Sequence, residues 1–326
     1  MLIALLLIGT VVLAWANGAN DNFKAVATLY GSGTLDYKQS LRVATGAQVA
    51  GSLASVVLAG ALVKAFGGKG LVPDAVVGDP GFVLSVATGS AATVLIATRV
   101  GIPVSTTHAI VGALVGAGLW FDPSQLAWER LGATFVGPLL VSPLLALGAA
   151  AALYPLATAA RRRFTSDGRA ALAGAEALDR LHVASGLSLG FARGLNDTPK
   201  VLGLVAAAGW TGVHPRVALV AIATAMAVGG VVQARRVAET LGHRITTMSR
   251  GQGLLANLTG SALVIGASLL GMPVSTTHVS TGAIFGIGLH TGTADWRVVG
   301  AIVAAWGLTL PLSAAFAALA AAFLSP

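Results

Sequence analysis

Of the twelve acidic residues in this chain, all but two fall in loops or at the ends of apolar runs. The exceptions, Asp21 and Asp197, lie deep inside long apolar stretches, where a carboxylate is costly unless something pairs with it and so marks function. Each closes a Gly-x-Asn-Asp segment, Gly18-Ala19-Asn20-Asp21 and Gly194-Leu195-Asn196-Asp197. Gly and Asn in succession tend to unwind a helix and free carbonyl oxygens. Together with the carboxylates and amides these suit a hard cation such as sodium. Asn20, Asp21, Asn196 and Asp197 are therefore the candidate coupling residues, with Asp21 and Asp197 as the sodium ligands. Lys24 and Lys200 follow three residues on, on the same helix face. Each either neutralises its aspartate, contacts an anionic substrate, or stands where a cation would.

A second constellation has different chemistry. Pro103-Val104-Ser105-Thr106-Thr107-His108 and Pro273-Val274-Ser275-Thr276-Thr277-His278 each precede an apolar run. Pro followed by Ser or Thr starts a helix, so Ser105 and Ser275 are expected N-caps, with Thr106, Thr107, Thr276 and Thr277 in the first turns. Free N–H groups and partial positive charge at such starts favour an oxyanion, and two of them meeting would cradle a compact tetrahedral anion. His108 and His278 are either proton relays or structural. Arg99 either pairs with the anion from a hairpin tip or snorkels. Gln48, Asn257 and Thr224 are either further ligands or interhelical hydrogen bonds.

These residues need elements that bring them together, and the spacing supplies a plan. The Pro-Val-Ser-Thr-Thr-His motif recurs at an offset of 170 and the Asn-Asp motif at 176. Two repeats are expected, 1–156 and 182–326, joined by a polar cytoplasmic linker over 157–181. The chain of 326 residues is 55% hydrophobic and only 10% charged, which excludes a water-soluble protein. It has no cysteine, hence neither disulfides nor thiolate chemistry. Net charge is +8, but the basic residues are scattered among loops and form no stripe for nucleic acid.

Ten apolar segments are expected, near 1–31, 40–66, 82–98, 104–121, 127–156, 182–210, 215–233, 253–270, 273–290 and 296–324, the first and sixth interrupted at their Asn-Asp motifs. The first run has a signal-like Ala14-Trp15-Ala16 but no basic n-region, and is read as a span. If the basic linker, Arg161, Arg162, Arg163, Arg169 and Arg180, is cytoplasmic, then Lys38, Arg42, Arg235, Arg236, Arg244, Arg250 and Arg297 also lie inside. Lys64, Lys69, Arg130 and Arg216 lie outside. Both termini are then outside. Each half crosses an odd number of times whether 82–98 and 104–121 span singly or form a re-entrant hairpin, so the second copy is inverted. That is the plan of secondary transporters, with the site where the copies meet. The expected fold is an all-α polytopic membrane protein of two inverted-topology repeats, each with a broken helix. A channel would want rings of charge along an open pore, and an enzyme would want an activated nucleophile or metal triad; the duplicated binding motifs fit neither.

Asn17-Gly18-Ala19-Asn20-Asp21 running into Ala25-Val26-Ala27-Thr28, its counterpart Gly194-Leu195-Asn196-Asp197 and the twin Pro-Val-Ser-Thr-Thr-His motifs resemble the inorganic phosphate transporter (Pit) family over nearly the whole chain. The resemblance implies a symporter of the cell (inner) membrane that imports inorganic phosphate with sodium or protons. It also implies no cofactor, paired re-entrant hairpins and a homodimer. Carried over, Asn20, Asp21, Asn196, Asp197, Ser105, Thr106, Thr107, Ser275, Thr276 and Thr277 form the ion and phosphate sites. The residues themselves, apart from the resemblance, add Lys24, Lys200 and Arg99 as further phosphate contacts and Gln48 and Asn257 beside the ion. Many members have a small or amide residue where this chain has Lys24, which leaves the coupling ion open between sodium and protons. Some branches of the family carry sulfate, so sulfate or another tetrahedral oxyanion is the alternative substrate.

Overall fold

The computed structural model describes residues 2–68, 70–164, 168–244 and 248–324. Lys69 lies outside them, as does the middle of the linker at 165–167, and the described structure does not extend to the side chains of Arg161, Arg162, Arg163, Arg169 and Arg244. The described residues are nearly all helical. Among the described residues seven helices are long and apolar enough to cross a membrane: Leu2–Ala25, Tyr37–Leu58, Pro80–Val100, Trp128–Ala159, Pro215–Gln233, Arg250–Leu269 and Trp296–Leu324. Their outer surface is apolar, with Val57, Leu145, Leu308 and Phe323 exposed, as the faces of a bilayer protein are. The chain is a multi-pass membrane protein.

Helix α1 (Leu2–Asp21) ends at its aspartate, passes through a 3₁₀ turn over Asn22–Ala25, and resumes as α2 (Ala27–Gly31). α3 (Tyr37–Leu58) starts from a capping box, Asp36 with Gln39, and is followed by α4 (Gly60–Phe66). α5 (Pro80–Val100) and α6 (Thr106–Phe121) form a hairpin, closed at its open end by an edge-on contact of Phe82 with Phe121, rings 5.8 Å apart. α7 (Gly137–Phe164) and α8 (Gly168–Ala207) follow, so helix extends into most of the 157–181 range expected as a loop. α9 (Pro215–Gln233) and the short α10 (Arg235–Glu239) precede a second hairpin of α11 (Arg250–Leu269) and α12 (Thr276–Thr291), and α13 (Trp296–Leu324) closes the described chain.

The hairpin turns are alike. Gly101 (φ +75°) and Gly271 (φ +68°) end α5 and α11 in the left-handed region that glycine enters without a Cβ penalty. Each turn leans on a short helix of the other half. A Cβ on Gly101 would lie 3.2 Å from Arg236 of α10, and one on Gly271 would lie 2.6 Å from Ala61 of α4. The helices behind the turns also pack through small residues: a Cβ on Gly112 or Gly116 would strike α13 backbone, and one on Gly282 or Gly286 would strike that of α7.

Two expectations are corrected. α8 runs unbroken through Asn196 and Asp197, with Pro199 inside it, so only the first Asn-Asp segment ends a helix. The reason lies two residues past each aspartate. Phe23 stacks on Tyr37 at 5.1 Å and meets Tyr30 edge-on, an aromatic anchor at the 3₁₀ turn. Its counterpart Pro199 has no such anchor, and its ring fixes φ near the helical value. Gly18 and Gly194, for their part, sit within regular helix and free no carbonyls. They admit a neighbouring helix: a Cβ on Gly18 would lie 1.8 Å from the Met226 carbonyl of α9, and one on Gly194 would lie 2.0 Å from the Gln48 carbonyl of α3.

Candidate functional site

Sequence places Asp21 and Asp197 in different halves, and packing brings them to one buried centre. α1 delivers Asp21 at its C-terminal end, and α8 delivers Arg193, Asp197 and Lys200 on one face. α6 and α12 point their N-terminal turns at them. Ser105 caps α6 by accepting from the His108 N–H at 3.1 Å, and Ser275 caps α12 by accepting from that of His278 at 3.2 Å.

The contacts cross between the halves in matching pairs. Lys24 Nζ donates to the Asp21 carboxylate, to the Val104 carbonyl at 2.7 Å and to Thr277 Oγ1 at 2.6 Å. Lys200 Nζ donates to Asp197 Oδ1 at 2.8 Å, to the Val274 carbonyl at 3.0 Å and to Thr107 Oγ1 at 2.7 Å. Thr277 in turn donates to the Val104 carbonyl at 2.9 Å, and Thr107 to that of Val274 at 3.2 Å. Thr106 reaches Asp21 Oδ2 at 3.1 Å and Thr276 reaches Asp197 Oδ2 at 3.4 Å. Asn20 and Asn196 both secure hairpin turns. Asn20 accepts from the Val104 N–H at 3.1 Å and donates to Thr98 and the Ile102 carbonyl, while Asn196 donates to the Val274 carbonyl at 3.3 Å.

The residue that sequence reading passes over is Arg193. Its Nη2 lies 3.0 Å from Asp197 Oδ2 and 3.3 Å from Asp21 Oδ2, so one guanidinium joins both carboxylates. Its Nη1 is buried with no hydrogen-bond partner among the described residues. Asp21, Lys24, Arg193, Asp197 and Lys200 are each no more than 2% exposed. The centre thus holds three basic groups against two carboxylates, and with all five ionised it carries one surplus positive charge. A buried charge is costly unless paired, so the surplus leaves this centre one negative charge short of balance. The signal of Arg193 in the sequence is faint, a single arginine one helical turn before Asp197 in an apolar run. Its counterpart at the 176 offset is Asn17, which donates to Asp21 Oδ2 and to Thr106, both at 3.0 Å.

Other expected site residues lie elsewhere. Arg99 is exposed and lines a cavity of about 660 Å³ with Arg235, Arg236 and Glu239, away from the buried carboxylates. The same cavity reaches Thr98, which accepts from Asn20 at 3.0 Å. Gln48 donates to Ser52, which accepts from Thr198, a link between α3 and α8. Asn257 ties Thr28 to Ser185, an interhelical bridge, and Thr224 is exposed. His108 and His278 pack ring to ring at 4.5 Å beside Trp306, behind the hairpin starts. His182, unremarked in the sequence, is fully buried between Thr28 and Thr34.

The chain is similar to known proteins over nearly its whole length. The profile of the phosphate transporter family matches residues 17–317. A protein of Rhizobium meliloti named "Probable low-affinity inorganic phosphate transporter" is 32% identical, over 77% of this chain and 76% of its own length. One of the same name from Bacillus subtilis is 26% identical over 98% of this chain and 96% of its own. The solved structure titled "The sodium-dependent phosphate transporter" superposes with a TM-score of 0.86 at 25% identity, covering 99% of this chain and 98% of that one. The match spans both buried aspartates, both hairpin starts and the arginine between them, and the chain belongs to the phosphate transporter family.

Proposed function

We propose that this chain is a secondary carrier importing inorganic phosphate across the cell membrane, a symporter driven by a cation gradient. The observation that carries this reading is the surplus positive charge of the buried centre, set between two capped helix starts whose hydroxyls and N–H groups suit a tetrahedral oxyanion. Phosphate would bind against the Nη1 of Arg193, drawn by the nearby charges of Lys24 and Lys200, with Ser105, Thr106, Thr107, Ser275, Thr276 and Thr277 around it. The matching crossed contacts support two repeats of opposite orientation, 1–156 and 182–326, and the basic loops support both termini outside. Alternating access would come from parting the two hairpin starts, which now hold each other's lysines.

Phosphate is favoured over sulfate because phosphate near neutral pH still carries a proton to donate, and the carboxylates of Asp21 and Asp197 are committed acceptors beside the proposed seat. The test is counterflow of radiolabelled phosphate in proteoliposomes with excess unlabelled competitors. Arsenate should compete strongly and sulfate barely. Strong inhibition by sulfate with weak inhibition by arsenate would reassign the substrate.

A further inference from the structure

Around each buried lysine amine the chain has built what is otherwise a cation seat. Lys24 Nζ is held by the Asp21 carboxylate, the Val104 carbonyl and the Thr277 hydroxyl. Lys200 Nζ is held by the Asp197 carboxylate, the Val274 carbonyl and the Thr107 hydroxyl. Carboxylate, carbonyl and hydroxyl oxygens form the hard donor set that a small cation selects. Three oxygens also saturate the three N–H donors of an ammonium. A pair serving only to neutralise its own helix would need the aspartate alone. Here each amine also ties down a carbonyl at the opening of one hairpin start and a hydroxyl in the first turn of one, and each amine thereby touches both hairpins.

Sodium does not fit beside these amines. To reach Asp21 or Asp197 it would have to strip the lysine from its three oxygens and leave a buried, unpartnered charge, or share those oxygens at close range with a like charge. The remaining carboxylate oxygens are already engaged, Asp21 Oδ2 by Asn17, Thr106 and Arg193, and Asp197 Oδ2 by Arg193 and Thr276.

We infer that Lys24 and Lys200 are built-in cations occupying the seats a coupling sodium would take, so that phosphate movement by this chain does not require sodium and no sodium binds at Asp21 or Asp197. This rests on the phosphate-carrier reading and narrows its driving ion.

The test uses the full-length purified protein. Counterflow of radiolabelled phosphate is measured in proteoliposomes in matched sodium, potassium and choline chloride, and binding of radioactive sodium is measured separately on the protein in detergent. Initial rates should agree within about two-fold across the three salts, and no saturable sodium binding should appear, since a ligand with no affinity shifts nothing. A double variant, Lys24→Asn with Lys200→Asn, keeps the carboxylate, carbonyl and hydroxyl oxygens. It should acquire saturable sodium binding and sodium-stimulated phosphate counterflow. Wild-type counterflow that stops in choline, or saturable sodium binding by the wild type, would overturn the inference. So would a folded double variant that binds no sodium. Absence of phosphate counterflow in every salt would instead count against the carrier reading, and the sodium-binding measurement would still decide the role of the amines.

Discussion

Asp21 and Asp197 are held by matching partners except on one side. Each has a lysine three residues on and a threonine from the first turn of a hairpin helix. One helical turn before Asp21 stands the neutral Asn17; one turn before Asp197 stands Arg193, which also reaches across to Asp21. The first copy ends its helix at the aspartate, whereas the second continues straight through it. The repeated motifs therefore carry the two lysine cages, and one departure from the repeat, Arg193 for Asn17, carries the surplus charge. The unbroken α8 suits that role, because a guanidinium shared between two carboxylates needs a backbone that does not move relative to Asp197.

The largest effects should come from the aspartates, and they should be unequal. Asp197→Asn strips Lys200 and Arg193 of their nearest carboxylate and should cost about 3–5 kcal/mol in unfolding measurements in detergent. Asp21→Asn leaves Arg193 paired with Asp197 at 3.0 Å and should cost about 1 kcal/mol less. Both should abolish concentrative uptake. Equal destabilisation would mean that Arg193 does not distinguish the two halves.

Arg193→Asn copies the first half into the second. Each aspartate keeps its lysine, so the fold should persist. The charge surplus goes, and phosphate affinity should fall on the order of 100-fold, about 3 kcal/mol, as expected for loss of a charge-assisted contact. Equilibrium binding of labelled phosphate to the purified variant checks this, and unchanged affinity would remove Arg193 from the phosphate site. Thr107→Val and Thr277→Val probe the symmetric part. Each deletes one hydroxyl between a lysine and a carbonyl, and the two should destabilise alike, by about 2 kcal/mol. A clear difference between them would show that the cages are not equivalent.

The same division marks what the sequence discloses. Composition discloses the membrane class, and whatever repeats is readable from spacing: both aspartates, both lysines and the two helix starts at Ser105 and Ser275 rest on duplicated motifs. What does not repeat is hidden. Arg193 has no basic counterpart, and a reading guided by symmetry passes over it. Continuity of α8 depends on Pro199 standing where Phe23 has two tyrosines to pack against, a contact no local pattern announces. Gly18 and Gly194 show a different limit. A glycine beside Asn is read as a helix breaker, yet the decisive term is a backbone approaching from another helix, as the 1.8 Å and 2.0 Å overlaps of an added Cβ show. Gln48 and Asn257 are polar residues in apolar runs, and only the fold reveals that they bond to Ser52, Thr28 and Ser185.

The smallest effect concerns the caps, where stability and binding should separate. Ser105 Oγ accepts from the His108 N–H and Ser275 Oγ from that of His278, at 3.1 Å and 3.2 Å, and a hydroxyl that accepts in a cap still has its own proton to donate. An ordinary cap is worth about 1 kcal/mol, so Ser105→Ala and Ser275→Ala should each lower stability by about that amount and by the same amount in both halves. If the hydroxyl protons also face phosphate, each variant should in addition bind phosphate about ten-fold more weakly, a further ~1.4 kcal/mol. Lys24 and Lys200 stay ion-paired in these variants, so the loss would not come from a collapsed centre. Thermal unfolding paired with phosphate titration separates the two contributions. Binding that falls in one variant and not in the other would place the anion off the axis between the helix starts. Binding unchanged in both would reduce the serines to caps and leave the anion to Arg193 and the lysines.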